Sequence, residues 1–204
     1  MSRGGGRPPV LVLVLAAAFL LLVASLVIGA LTKPEYPPYH LSPAAAPVAV
    51  GGSAGDALVG PAIYTLDASS TADWRAFAFA WRSTVSPAGA WDLAFRRFHV
   101  IAAPGAGLQD LGAVPFESVA VVPEHGYLGN VADPDTTNPG VGKWYRYSML
   151  SHLLTSKHHV YALRTADGRY AKFELLAYYC VDVGVACLTF RYVYQGDGSR
   201  RVVK

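Results

Sequence analysis

From Val10 to Leu31 the chain runs 22 residues without a charge, interrupted among apolar positions only by Ser25 and Gly29. At about 1.5 Å per helical residue this run reaches roughly 33 Å, the thickness of a bilayer's hydrocarbon core. Arg3 and Arg7 precede it, and the positive-inside bias then places residues 1–9 in the cytoplasm, a signal-anchor helix over 10–31 in the lipid, and the chain after Lys33 on the far side. The competing reading is a cleaved signal peptide and a secreted chain. Such peptides have apolar cores of about 7 to 15 residues ending in a small-x-small site, and Ile28-Gly29-Ala30 is a poor one. No cysteine lies near residue 30, which excludes lipoprotein acylation there.

An exported chain can keep disulfides, and its two cysteines, Cys180 and Cys187, flank the segment Val181 to Ala186 as a pair stapling a hairpin would. Six intervening residues match neither C-x-x-C nor zinc-ligand spacing. Taking Arg3 and Arg7 from the 17 basic residues leaves 15 against 14 acidic ones, so the exported part is nearly neutral. It has no block of Lys and Arg of the kind that displaces counterions from a nucleic acid. An enzyme is also not indicated, since no G-x-S-x-G, H-E-x-x-H or phosphate-loop motif is present.

Residues 32–61 read as a Pro/Gly-rich linker, with Pro34, Pro37, Pro38, Pro43 and Pro47 followed by Gly51-Gly52-Ser53-Ala54-Gly55. A β domain is expected over 62–204. In Trp74 to Trp81 the positions Phe77, Phe79 and Trp81 alternate with alanine, giving one aromatic face for a core. Trp91 to Ile101 reads as one strand whose apolar register switches near Arg96-Arg97, a bulge signal. Asp92 with Arg96 or Arg97 suggests a cross-strand ion pair. The last third reads as an antiparallel meander of His159 to Thr165, Arg169 to Tyr179 and Ala186 to Gln195, with Ala166-Asp167-Gly168 as its first turn. Between the β blocks, residues 102–142 form a long irregular stretch. Its Asp133, Asp135 and Asn138 fit no calcium-loop spacing and read as solvated.

Three segments taken in order resemble the HmuY family of bacterial haem-binding proteins: Trp91 to Arg97, Lys143-Trp144-Tyr145-Arg146-Tyr147 running to His152, and Tyr161 to Lys172 with its R-T-A-D-G-R-Y-A-K core. Tyr178-Tyr179 and Thr189 to Gln195 extend the likeness over about residues 62–196. The resemblance implies an all-β, antiparallel domain and a haem or related tetrapyrrole held between axial side chains, commonly two histidines, with methionine in some relatives. It also implies a diderm envelope, hence the inner membrane as anchor site and the periplasm for the domain. The chain departs from acylated relatives in its apolar helix.

Haem needs one or two soft nitrogen or sulfur ligands and an apolar, aromatic-lined slot. Covalent attachment is excluded, because there is no C-x-x-C-H. His152, in the family-like segment, and His125, in the irregular stretch, are the expected axial pair, with Met149 as the sulfur alternative. Trp144, Tyr145, Tyr147 and Tyr127 are the expected pocket residues. His158 and His159 read as turn flanks, His99 as a strand residue and His40 as part of the linker. The residues name no protein partner. The alternative function is an envelope scaffold or interaction domain that shares the fold without the ligand.

Overall fold

The computed structural model describes residues 9–32, 38–43, 58–132 and 135–203. Asp133 therefore lies outside the described residues. By packing, the chain divides into residues 1–35 with 147–154, and residues 36–146 with 155–204.

The first unit holds helix α1, Val10–Leu31, of whose residues none is buried. Pro9 opens it with a carbonyl that accepts from the Val12 N–H at 2.8 Å, and Thr32 closes it by donating both its N–H and its hydroxyl to the Ile28 carbonyl. A helix this apolar and this exposed cannot end in water without a large hydrophobic cost, whether it stays as an anchor or is removed as a signal.

The second unit is an antiparallel β sandwich. Its strands are β1 Leu58–Asp67, β2 Arg75–Ala78, β3 Ser83–Val85, β4 Leu93–Arg96, β5 His99–Ala102 and β6 Gly107–Asp110. These are followed by β7 Val131–Ala132, β8 Thr136–Thr137, β9 Tyr145–Tyr147, β10 Leu154–Ser156, β11 Val160–Arg164, β12 Tyr170–Cys180 and β13 Gly184–Gln195, with Tyr147 of β9 and Leu154 of β10 counted in the first unit. The larger sheet runs β1-β13-β12-β11-β6 and the smaller β3-β2-β4-β5, while β9 with β10 and β7 with β8 form two-stranded hairpins.

Period-two patterning explains how the sheets meet. Phe190, Tyr192 and Tyr194 alternate along β13 on one face, and antiparallel register adds Leu175, Phe173 and Ala171 of β12 beside them. The smaller sheet answers with Phe77 and Phe95, and the turn after β2 adds Phe79. Phe77 lies 5.1 Å edge-on from Phe190, Phe95 stacks at 5.3 Å on the same ring, and Phe79 sits 5.0 Å from Tyr192. All are essentially inaccessible to water. Burial of one such ring contributes on the order of 1.5–3 kcal/mol, so this aromatic layer dominates the core.

The opposite face of β12 and β13 presents Lys172, Glu174, Arg191 and Val193, and the stretch 111–130 covers it. The Lys172 ammonium, buried, donates to the carbonyls of Phe116 and Val119 at 2.9 and 2.8 Å. Arg191 donates to Glu174 at 2.6 Å and to Glu117 at 2.9 Å. Phe116, Val122, Val193 and Val202 complete a second small core. Much of the irregular stretch is thus a pinned layer, since a buried ammonium must find acceptors.

The structure corrects several expectations. The first strand begins at Leu58, ahead of the expected domain start at residue 62, because Leu58 and Val59 pair with Gln195 and Tyr194 of β13. Within the segment expected as linker, residues 38–43 are fixed by bonds such as Leu41 N–H to Asp182 at 2.7 Å and Ser42 N–H to the Thr65 carbonyl at 2.9 Å. Trp91 to Ile101 is a hairpin rather than one bulged strand: Arg96 faces His99 across a two-residue turn with Arg97 at φ 54°. The change of apolar register there is the strand reversing, which carries Phe95 and Val100 onto one face. Trp81 leaves the aromatic face, because β2 stops at Ala78 and the chain turns. Asp92 does not pair with Arg96 or Arg97. It accepts the Phe79 N–H at 2.7 Å, while Arg96 binds Asp135 at 2.6 Å and Arg97 donates to the Ser69 carbonyl. The meander is as expected, with Gly168 at φ 82° in its first turn and Cys180 bonded to Cys187 across its second.

Candidate functional site

The histidines separate by their partners. Four face carboxylates: His40 with Asp182 at 3.3 Å, His125 with Glu124 at 3.6 Å, His158 with Glu174 at 2.8 Å and His159 with Asp110 at 2.9 Å. A carboxylate at Nδ1 orients the rings of His40, His158 and His159 and leaves Nε2 as the remaining ring nitrogen. His99 lays its ring on Phe98, with centroids 4.5 Å apart, and lines a cleft of about 250 Å³ with Tyr145, Pro139 and Val100. That position on β5 was expected to be structural, and only the three-dimensional cleft distinguishes it.

His152 differs from these. It lies between β9 and β10 on a hairpin tip, where its Nδ1 is 2.5 Å from the Tyr147 hydroxyl. With the proton on Nδ1 the imidazole donates to the tyrosine oxygen and Nε2 keeps its lone pair, and with the proton on Nε2 the hydroxyl donates instead, so the contact orients the ring without fixing its tautomer. The backbone of His152 is left-handed, at φ 57°, a conformation costing a non-glycine residue roughly 1–2 kcal/mol. The turn compensates: the His152 N–H donates to the Ser148 carbonyl at 2.9 Å, the Ser148 N–H to the Leu153 carbonyl at 2.9 Å, and the Ser151 N–H to the Ser148 hydroxyl at 3.2 Å. Around it Tyr147, Met149 and Leu150 are exposed, Met149 at 72%. One imidazole, one thioether and an apolar surround thus share a single tip, a donor set that suits haem iron and does not suit a hard cation.

The other expected residues lie elsewhere or have other duties. His125 belongs to the β domain and His152 to the helix-and-hairpin unit, so the structure supplies no paired geometry for them. The His125 ring is 88% exposed. Trp144 is buried and its indole N–H donates to the Phe98 carbonyl at 2.9 Å; it supports Tyr145, whose ring is 5.5 Å away, instead of lining open space. Tyr127 donates its hydroxyl to the Pro123 carbonyl at 2.7 Å and packs in the second small core. Among the described residues no three His, Cys, Asp or Glu side chains converge as a metal cluster. Asp135 and Asn138, the described part of the acidic loop, are engaged with Arg96 and with Asn130 and Gly140.

A second cleft, of about 240 Å³, holds Asp92 among Trp81, Trp91 and Arg169. Burial pushes the Asp92 carboxyl up to about 6, against the Phe79 N–H that favours its charged form. Both clefts are smaller than the roughly 300–1,000 Å³ of drug-sized ligand pockets. A porphyrin fits neither as a closed cavity.

No protein-family model matches the chain, and no curated protein does. Solved structures do match. The apo form of the HmuY analogue TFO from Tannerella forsythia aligns with TM-score 0.59 at 16% identity, over 68% of this chain and 97% of that one. A protein from Bacteroides vulgatus, assigned as HmuY-like and haem-binding, aligns with TM-score 0.55 at 19% identity, over 65% and 91%. A Bacteroides fragilis protein assigned as a lipoprotein aligns with TM-score 0.54 at 19% identity, over 65% and 88%. At these identities the likeness establishes the fold: antiparallel β sheets in an HmuY-like arrangement, preceded here by one apolar helix.

Proposed function

We propose that this chain is a membrane-anchored, periplasmic haem- or tetrapyrrole-binding protein without enzymatic activity, holding its ligand non-covalently. Helix α1 remains as a single-pass anchor in the inner membrane with the N-terminus in the cytoplasm. His152 supplies the axial nitrogen through Nε2, steadied by Tyr147, and Met149 is the adjacent sulfur donor. The apolar tip is the surface a porphyrin would lie on. A single observation carries the reading: on an HmuY-like fold, His152 and Met149 stand together on an exposed apolar hairpin tip.

Haem titrated into residues 36–204 tests it. A saturable Soret band that is lost or strongly shifted in His152→Ala supports the assignment, and a spectrum indistinguishable from free haem in both redox states defeats it. The small size of the clefts favours the second reading, an envelope interaction domain that keeps the fold without the ligand, and the same null spectrum would select it.

A further inference from the structure

We infer that the tip of the β9–β10 hairpin, Tyr147 to Leu154, is a second membrane contact that dips into the interface of the outer leaflet beside helix α1. The inference rests on α1 remaining in the bilayer as an anchor. It holds whether or not the tip binds haem.

Helix and tip meet at Gly29. A methyl group built there would stand 2.6 Å from the Leu150 carbonyl oxygen and 3.3 Å from the Leu150 Cβ, so the lack of a side chain permits the approach. Gly29 is two residues inside the helix end at Leu31. At about 1.5 Å per residue, the tip backbone reaches roughly 3 Å inward from the end of the apolar span. In the topology given above, that end faces the outer leaflet.

The composition of the tip suits that depth. Tyr147-Ser148-Met149-Leu150-Ser151-His152-Leu153-Leu154 contains no Asp, Glu, Lys or Arg. Tyr147, Met149 and Leu150 are 49%, 72% and 55% exposed, a costly display in water and a favourable one among acyl chains and glycerol groups. Backbone polarity, which normally keeps turns out of lipid, is answered in part within the turn: the N–H groups of Ser148, Ser151 and His152 have partners inside residues 148–153. A tyrosine at the tip's edge is the residue type enriched at that boundary.

The test uses the full chain purified from membranes, its intact mass confirming that α1 is present, in vesicles of phosphatidylethanolamine and phosphatidylglycerol. Because Cys180 and Cys187 are joined, Leu150→Cys supplies one reactive thiol for an environment-sensitive fluorophore, and Asp197→Cys a control on an exposed turn of the β domain. The expected result is blue-shifted emission from position 150, quenched by lipids brominated on their acyl chains, with neither effect at position 197. Gly29→Leu, which keeps the helix apolar but fills the contact, should reduce the quenching at 150. Water-like, unquenched emission from position 150 in chains that pellet with the vesicles overturns the inference while leaving the anchor intact. Recovery from cells of only a shortened chain lacking α1 overturns anchor and inference together.

Discussion

Asp92→Asn should stabilise the β domain at neutral pH, by an amount the structure sets. The carboxyl of Asp92 is desolvated beside the aromatic layer, with Asp167 adding to the cost of its charge, while the Phe79 N–H and Arg169 offset part of it. The net effect raises its pKa from 3.8 to about 6. Two units correspond to about 3 kcal/mol at 1.36 kcal/mol per unit. The raised folded pKa fixes the sign: between 3.8 and 6 the folded chain holds a proton that the unfolded chain has lost, so stability falls as pH rises through this window. Above it the whole penalty is present, and below it none. Asparagine keeps an acceptor for the Phe79 N–H and carries no charge. The variant should therefore exceed the wild type by up to about 3 kcal/mol at pH 7.5, which for a domain of this size is roughly 6–12 °C in Tm, and should match it near pH 3.5. Urea unfolding of residues 36–204 across pH, wild type against variant, isolates the effect from carboxyls such as Asp135, whose pKa the Arg96 guanidinium lowers and which shift stability in the opposite sense. A difference between the two proteins that is absent at pH 7.5, or that does not shrink on acidification, would refute the reasoning.

Two further outcomes follow from the core and the cystine. Phe190→Ala removes the ring on which Phe77 and Phe95 converge, at 5.1 and 5.3 Å, and should cost about 3–5 kcal/mol in urea unfolding, whereas Phe190→Leu should cost distinctly less. Joint replacement of Cys180 and Cys187 by serine should cost about 2–3 kcal/mol, the chain-entropy value for so short a loop, and the wild type should resist alkylation until reduced, as read by intact mass.

What was readable in the sequence tracks how local the determining interactions are. Helix α1 is written in an uninterrupted apolar run, and the β11–β12 turn in an Asp-Gly pair whose glycine adopts positive φ. The tight turn at Arg97 carries no such residue, so its positive φ is enforced by the pairing of β4 with β5 and reads in sequence as a bulge. The order of the irregular stretch was hidden for a related reason: it depends on Lys172 placing its ammonium under the carbonyls of Phe116 and Val119, 56 and 53 residues earlier in the chain. Of the candidate site, the Trp144 to His152 segment was legible as a unit. The partners of the histidines were not, because they include carboxylates distant in sequence, such as Asp110 beside His159 and Asp182 beside His40. Likewise nothing local distinguishes Tyr147, whose hydroxyl meets His152, from Tyr127, whose hydroxyl is donated to the Pro123 carbonyl.

The most direct measurement of the ligand assignment is low-temperature electron paramagnetic resonance of the chain loaded with ferric haem, compared among the wild type, His152→Ala and His125→Ala. Signals of imidazole-coordinated iron that persist in His125→Ala and vanish in His152→Ala are the predicted result. Spectra unchanged by the loss of His152, or lost instead with His125, would contradict it.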